Sequence, residues 1–244
     1  GYAVFTMRRI PPTNERFRTM NKVTDISTAV SLVKKGDTLL LGGFGNVGAP
    51  MHLLYELAKH PEINDLTLVS EDLHYGDLPF VQGPEVLLRN KQLKKVAISF
   101  IGSHKPFENA INEGRLELEF IPQGTLAERL RAGGMGLGGF YTPTGVGTEV
   151  ESGKETKVID GKKYILEKPL RGNVAFVKAY KADAYGNAVF KLTAQNFNPV
   201  MAMAADTVVL EVEKLVKVGD IEPDSVQLPG IFVDHIVVQE GAMI

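Results

Sequence analysis

Apolar residues recur along this chain in two alternating rhythms. Ile26, Ala29, Val30 and Val33 keep helical spacing, with Thr24 as the expected N-cap and Gly36 as the stop. Thr38–Leu41 is a short apolar run of the buried-strand type. A glycine loop follows. Pro50 then stands at an expected first helical position, with Met51, Leu54, Leu57 and Ala58 on one face. The alternation continues through a strand at Leu66–Val69, a helix over Pro84–Gln92, a strand at Val96–Ile101 and a helix over Pro106–Asn112. Leu116–Ile121 alternates apolar and acidic residues and reads as a strand with one wetter face; Thr125–Arg131 is helical again. Strands alternating with helices of this length predict βαβ units, a mainly parallel sheet and right-handed connections.

The texture changes beyond Gly133. Gly133–Gly139 is glycine-dense, and Thr142–Lys163 is polar and turn-rich. Val174–Tyr180 and Ala188–Leu192 bracket Ala184-Tyr185-Gly186-Asn187, a hairpin signal. Pro199–Ala205 reads as a short helix and Thr207–Val212 as a strand. This second half is expected to be an irregular, β-rich elaboration of the same sheet, with no linker between the halves.

Composition narrows the functional classes. The chain carries 27 Lys and Arg against 29 Asp and Glu, a formal charge of −2, so nothing global favours nucleic acid or an anionic membrane. With no cysteine, a disulfide scaffold, a thiolate nucleophile and a Cys-based metal site are excluded, and a reducing cytoplasm is the expected setting. No apolar run approaches the roughly 20 residues that cross a bilayer. Residues 1–19 are read as an N-terminal extension, with Met20 as an alternative start, and residues 20–244 as one domain. The histidines are solitary, without metal-ligand spacing, so neither a metal site nor a histidine base is expected.

The most informative local feature is Gly42-Gly43-Phe44-Gly45-Asn46-Val47-Gly48. Glycines admit positive φ and close approach, and N–H groups at a following helix N-terminus can face an anion or a carbonyl becoming negative. Gly43, Gly45 and Gly48 also satisfy G-x-G-x-x-G between a strand and a helix, with Glu71 and Asp72 roughly where a ribose-binding carboxylate belongs. On spacing alone an NAD(P)-dependent dehydrogenase, a binding module for CoA or another metabolite, and a simple tight turn all remain open.

Larger blocks go further. Lys35–Pro50 resembles the glycine signature of the α subunits of family I coenzyme A transferases. Pro122-Gln123-Gly124-Thr125-Leu126-Ala127-Glu128-Arg129-Leu130-Arg131-Ala132-Gly133-Gly134 is similar to the same family, as are Phe140–Thr148 and Val177–Asp183 with Gly186-Asn187. The likeness is strongest to the succinyl- and acetate/butyrate–acetoacetate transferases. It implies a three-layer α/β sandwich with its site at the carboxyl ends of the strands. It also implies ping-pong transfer of CoA between a short-chain acyl-CoA and a 3-oxo acid, with CoA as substrate and no cofactor.

In that family the nucleophilic glutamate lies in a Glu-Asn-Gly setting on a β-type partner. This chain has no Glu-Asn-Gly; Glu108-Asn109-Ala110 comes nearest, in a predicted surface helix. The resemblance therefore implies a β-type partner, in an αβ or α2β2 complex. In this chain the CoA and thioester channel would be lined by Gly42, Gly43, Phe44, Gly45, Asn46, Val47 and Gly48, with Gln123 beside the nucleophile. One departure stands out. Glu71-Asp72 occupies the place of an Asn-Asn or Asn-Asp pair whose first amide helps hold the oxyanion. A carboxylate can donate there only when protonated, so Glu71 is expected to be a polar lining residue or an auxiliary second carboxylate.

Overall fold

A computed structural model describes residues 21–73, 83–102 and 104–239; residues 1–20 and the His74–Gly76 part of the loop after Glu71 lie outside them. In chain order the first half contains α1 (Ile26–Val30), β1 (Thr38–Leu41), α2 (Met51–Ala58), β2 (Leu66–Val69) and α3 (Glu85–Arg89). It continues through β3 (Leu93–Ile98), α4 (Lys105–Asn112), β4 (Glu117–Phe120) and α5 (Gln123–Met135). The second half contains β5 (Phe140–Thr142), β6 (Thr156–Ile159), β7 (Lys162–Glu167), β8 (Gly172–Asp183) and β9 (Ala188–Val189). It ends with α6 (Asn198–Ala204), β10 (Ala205–Val216) and β11 (His235–Val238).

The main sheet runs β11-β10-β8-β1-β2-β3-β4 with every neighbouring pair parallel, and β9 folds back antiparallel on β8. Side chains alternate across a strand, and the two cores divide accordingly. Leu39, Leu41, Leu66, Leu68, Val96, Ile98 and Phe176 pack with the buried faces of α1 to α4. Leu40, Val69, Ala97, Ala175, Val177 and Leu210 pack with α5 and α6 on the other face. This is the expected three-layer arrangement, and it explains why the strands read as unbroken apolar runs.

The chain enters the sheet at β1, builds outward to β4, and returns to the other flank of β1 with β8, β10 and β11. Connections thus leave β1 and β8 in opposite directions. In an open α/β sheet such a switch point opens a crevice at the carboxyl ends of the two strands.

Several expectations need correction. The cap of α1 is Asp25, whose Oδ1 accepts the Thr28 N–H at 2.7 Å, rather than Thr24. Thr142–Lys163 is no extension of the main sheet: β5, β7 and β6 form a separate antiparallel sheet. Its outer strand is exposed over Thr156–Val158, so its polar sequence carries no core pattern to read. In β4 the apolar residues are the ones left out. Leu118 and Phe120 lie in register with Val96 and Ile98 but stay 39% and 54% exposed, because β4 is the edge strand. Part of the glycine-dense stretch is helix, since α5 runs to Met135 and ends on left-handed Gly136, φ 72°.

Candidate active site

The loops leaving β1, β2, β3 and β4 all emerge at the carboxyl edge of the sheet, and they bring distant residues together. Glu71 follows β2 and is 2% exposed. Its backbone carbonyl accepts the N–H groups of Ser99 and Phe100 at 3.0 and 3.2 Å and the Ser99 hydroxyl at 2.8 Å. Its Oε1 accepts from Gln123 Nε2 at 2.8 Å and Ser99 Oγ at 3.2 Å. Gln123 opens α5 just after β4, so the two polar residues singled out by sequence meet directly. Glu71 Oε2 is buried with no hydrogen-bond partner among the described residues. A buried carboxylate oxygen without a donor is costly and marks a place where interactions are left unfinished.

Asp72 has a different task. Both its carboxylate oxygens accept the Gly45 N–H, at 3.2 and 3.0 Å, which ties the glycine loop to the β2 loop. The loop itself is closed by reciprocal hydrogen bonds between Phe44 and Val47, 3.0 and 3.1 Å. Gly43, Gly45 and Gly48 adopt φ of 112°, 56° and 72°, so the three G-x-G-x-x-G positions are the left-handed ones. The Gly42 N–H continues the sheet to Phe176. Gly43, Asn46 and Gly48 donate no backbone hydrogen bond within the described residues.

The helix N-terminus behind the loop is already occupied. Glu211, on β10 and fully buried, places Oε2 3.0 Å from the Leu53 N–H in the first turn of α2. Its Oε1 accepts from Gln239 Nε2 at 2.6 Å and lies 3.2 Å from His52 Nδ1. An anion cradled at a strand–glycine loop–helix junction would need those amides and their positive dipole. Here a carboxylate of the protein takes the Leu53 N–H and sits against that dipole. The dinucleotide reading of the motif therefore loses its main physical element.

The rim of the site is apolar. Phe44 and Val47 in the glycine loop, Phe100 after β3 and Phe120 in β4 are each about half exposed, between 46% and 55%. Beside the loop, the turn Leu192–Gln195 is unusual: Leu192 is 92% exposed and left-handed, φ 53°, a conformation that costs a branched residue about 1 kcal/mol or more.

Comparison with known proteins decides between the readings of this site. The sequence pattern of the coenzyme A transferase family matches residues 23–239. The chain belongs to that family. The dehydrogenase alternative is thereby displaced, and the four sequence blocks all lie within the matched residues. This transferase chain is 48% identical over 218 residues to one chain of the succinyl-CoA:3-ketoacid coenzyme A transferase of Helicobacter pylori, covering 89% of this chain and 92% of that one. It is 40% identical over 219 residues to the alpha chain of the acetate CoA-transferase of Escherichia coli, covering 90% and 97%. Among solved structures, an acyl-CoA transferase of E. coli O157:H7, in a thioester complex with CoA, superposes with a TM-score of 0.79 at 25% identity. That match covers 90% of this chain and 47% of the other, so this transferase chain spans about half of it. No helix among the described residues is long and apolar enough to cross a membrane.

Glu71, Gln123 and the glycine loop, expected from the sequence to line the site, lie together on one edge of the sheet. Sequence reasoning missed Ser99, Glu211 and Asn198. Glu211 sits in an apolar strand and Asn198 precedes a proline, and neither spacing announces a partner more than 100 residues away.

Proposed function

We propose that this chain is the α-type half of a transferase that moves CoA between a short-chain acyl-CoA and a 3-oxo acid such as acetoacetate. The observation that carries this reading is the convergence of the glycine loop with a buried, half-satisfied Glu71 that accepts from Gln123. The absence of any Glu-Asn-Gly in the chain supports placing the nucleophilic glutamate on a β-type partner. The apolar rim of Phe44, Val47, Phe100 and Phe120 supports a partner surface over the site.

In this scheme the partner's glutamate attacks the thioester carbonyl and expels CoA thiolate, leaving an acyl–glutamyl anhydride. The thiolate attacks the glutamyl carbonyl and releases the first carboxylic acid, leaving a glutamyl–CoA thioester. The acceptor acid attacks that thioester, expelling thiolate and giving a second anhydride. The thiolate then takes the new acyl group and frees the glutamate. Each attack places negative charge on a carbonyl oxygen, which preorganised donors stabilise. The Gly42–Gly48 loop offers backbone donors, Gln123 an amide, and Glu71 an acceptor that holds Gln123 in place. The balance involves no redox change, so we assign no cofactor, and we place the complex in the cytoplasm as an αβ pair or α2β2.

The test is to purify residues 1–244 alone and together with a β-type chain carrying Glu-Asn-Gly, and to follow acetoacetate-dependent CoA transfer from succinyl-, acetyl- or butyryl-CoA. Transfer by the complex alone is expected. Transfer by the lone chain would overturn the shared site.

A further inference from the structure

Two asparagine side chains shape the Gly42–Gly48 loop from behind. Asn198, the first residue of α6, is fully buried. Its Oδ1 accepts the Lys178 N–H at 2.9 Å, where β8 parts from β1 at the switch point. Its Nδ2 donates to the carbonyls of Gly48 at 3.0 Å and Ala194 at 2.9 Å. Asn196 Nδ2 donates to the carbonyls of Val47 at 2.9 Å and Thr193 at 3.1 Å. The loop is fitted to this strap. A methyl group on Gly42 would overlap Asn198 Oδ1, and one on Gly48 would lie 2.8 Å from Asn198 Nδ2 and 2.6 Å from the Ala194 carbonyl oxygen. Two of the glycines are thus required by the protein's own amides, whatever the loop binds.

The strap also sets a direction. A trans peptide carries its C=O and N–H on opposite sides of the chain, and there are no cis peptides among the described residues. Holding the Val47 carbonyl toward Asn196 therefore turns the Gly48 N–H away from the strap. Holding the Gly48 carbonyl toward Asn198 does the same for the Ala49 N–H. Neither N–H donates a hydrogen bond within the described residues. Gly48 is partly exposed while Ala49 is buried, so the Gly48 N–H is the one a ligand reaches.

We propose that Asn196 and Asn198 are positioning residues for CoA transfer, which aim the Gly48 N–H at the carbonyl oxygen that becomes negative in each acyl-transfer step. This rests on the transferase reading above and adds the groups that preorganise its donor. An oxyanion donor out of place costs roughly a hundredfold or more in turnover, with less effect on ground-state binding.

The test uses the complex of this chain with its β-type partner. Asn198→Asp keeps the size and the acceptor for Lys178, but sets an oxygen against the Gly48 and Ala194 carbonyls. Turnover should fall roughly a hundredfold with KM for both substrates within about threefold. Asn196→Ala should lose roughly tenfold in the same way. Gly42→Ala should be severely impaired alone, yet cost nothing further in an Asn198→Ala background, where the overlapping atoms are gone. Unchanged turnover in Asn198→Asp, even with a lowered melting temperature, would mean that the amide only packs and would overturn the proposal. A raised KM at unchanged turnover would overturn it too, since the loop would then bind CoA without acting on the transition state. Should Asn198→Asp fail to assemble, the more exposed Asn196→Ala decides alone, and full turnover there sinks the idea. An inactive wild-type complex would sink the transferase reading itself, whereas an active wild type with active variants sinks only the positioning role.

Discussion

Two of the buried glutamates in this molecule, Glu211 and Glu71, sit in surroundings built in opposite ways. At the start of α2, Glu211 is saturated: Leu53, Gln239 and His52 face both of its oxygens, and the side chain fixes the helix N-terminus. At the carboxyl end of β2, Glu71 has donors on Oε1 alone, while Oε2 is buried without one among the described residues. Burial by itself does not separate the two, at 0% and 2% exposure; the completeness of the hydrogen bonding does. A saturated buried carboxylate holds structure together. One left half-satisfied is maintained at a cost in stability, which is the pattern expected where a site must respond to a ligand or a partner.

Substitution can break this contrast. The largest effect is expected from Glu211→Leu, which strands the buried Leu53 N–H and removes the acceptor of the half-buried Gln239 amide. It should cost about 3 kcal/mol or more, read by urea denaturation. A loss under about 1 kcal/mol would show that Glu211 does not anchor the helix. Glu71→Met should do the reverse. Removing a half-satisfied carboxylate for an apolar side chain of similar size should leave the melting temperature unchanged or raised, while CoA transfer falls roughly a hundredfold. Equal destabilisation by the two substitutions would erase the distinction.

A third carboxylate gives the smallest and most graded effect. Glu119, on β4, is half-buried between Lys95 at 2.6 Å and Arg129 at 2.9 Å. Burial pushes its carboxyl up, but the hydrogen bonds and charges of Lys95 and Arg129 together outweigh that and hold it below the usual carboxylate range. A carboxyl depressed by folding contributes stability that is complete above its unfolded titration and is lost as pH falls through its folded one. The stability gap between wild type and Arg129→Ala, discounted for solvent screening, should be below about 1 kcal/mol near neutrality. It should narrow as pH falls below the carboxylate range, with the remainder reporting the Arg129 bond to the Lys168 carbonyl. A gap independent of pH would mean that Arg129 acts through packing and its Lys168 bond rather than through Glu119.

The parts legible in the sequence were those with local causes. Runs such as Thr38–Leu41 and Leu66–Val69 announced buried parallel strands, because strands covered on both faces have no polar side. Left-handed turns announced themselves as glycines at 43, 45 and 48. Boundaries were less legible: Thr24 and Asp25 are both good caps, and only the geometry chose Asp25. The small sheet of β5, β6 and β7 went unread because β5 and β6 bury too little to impose a rhythm. Leu118 and Phe120 misled for the opposite reason: an alternating pattern promised a buried face that an edge strand does not have.

By itself, then, the sequence determined the βαβ order, the apolar strands and the glycine turn, since each depends on residues close together in the chain. The tertiary structure alone decided what those parts face. It brought Gln123 to Glu71 across 52 residues, filled the α2 N-terminus with Glu211 across 158, and set Asn198 beneath Gly48 across 150. Hydrogen bonds of that span are made only when strands far apart in sequence become neighbours in the sheet, and it is there that a glycine motif shared with nucleotide-binding loops acquires surroundings of its own.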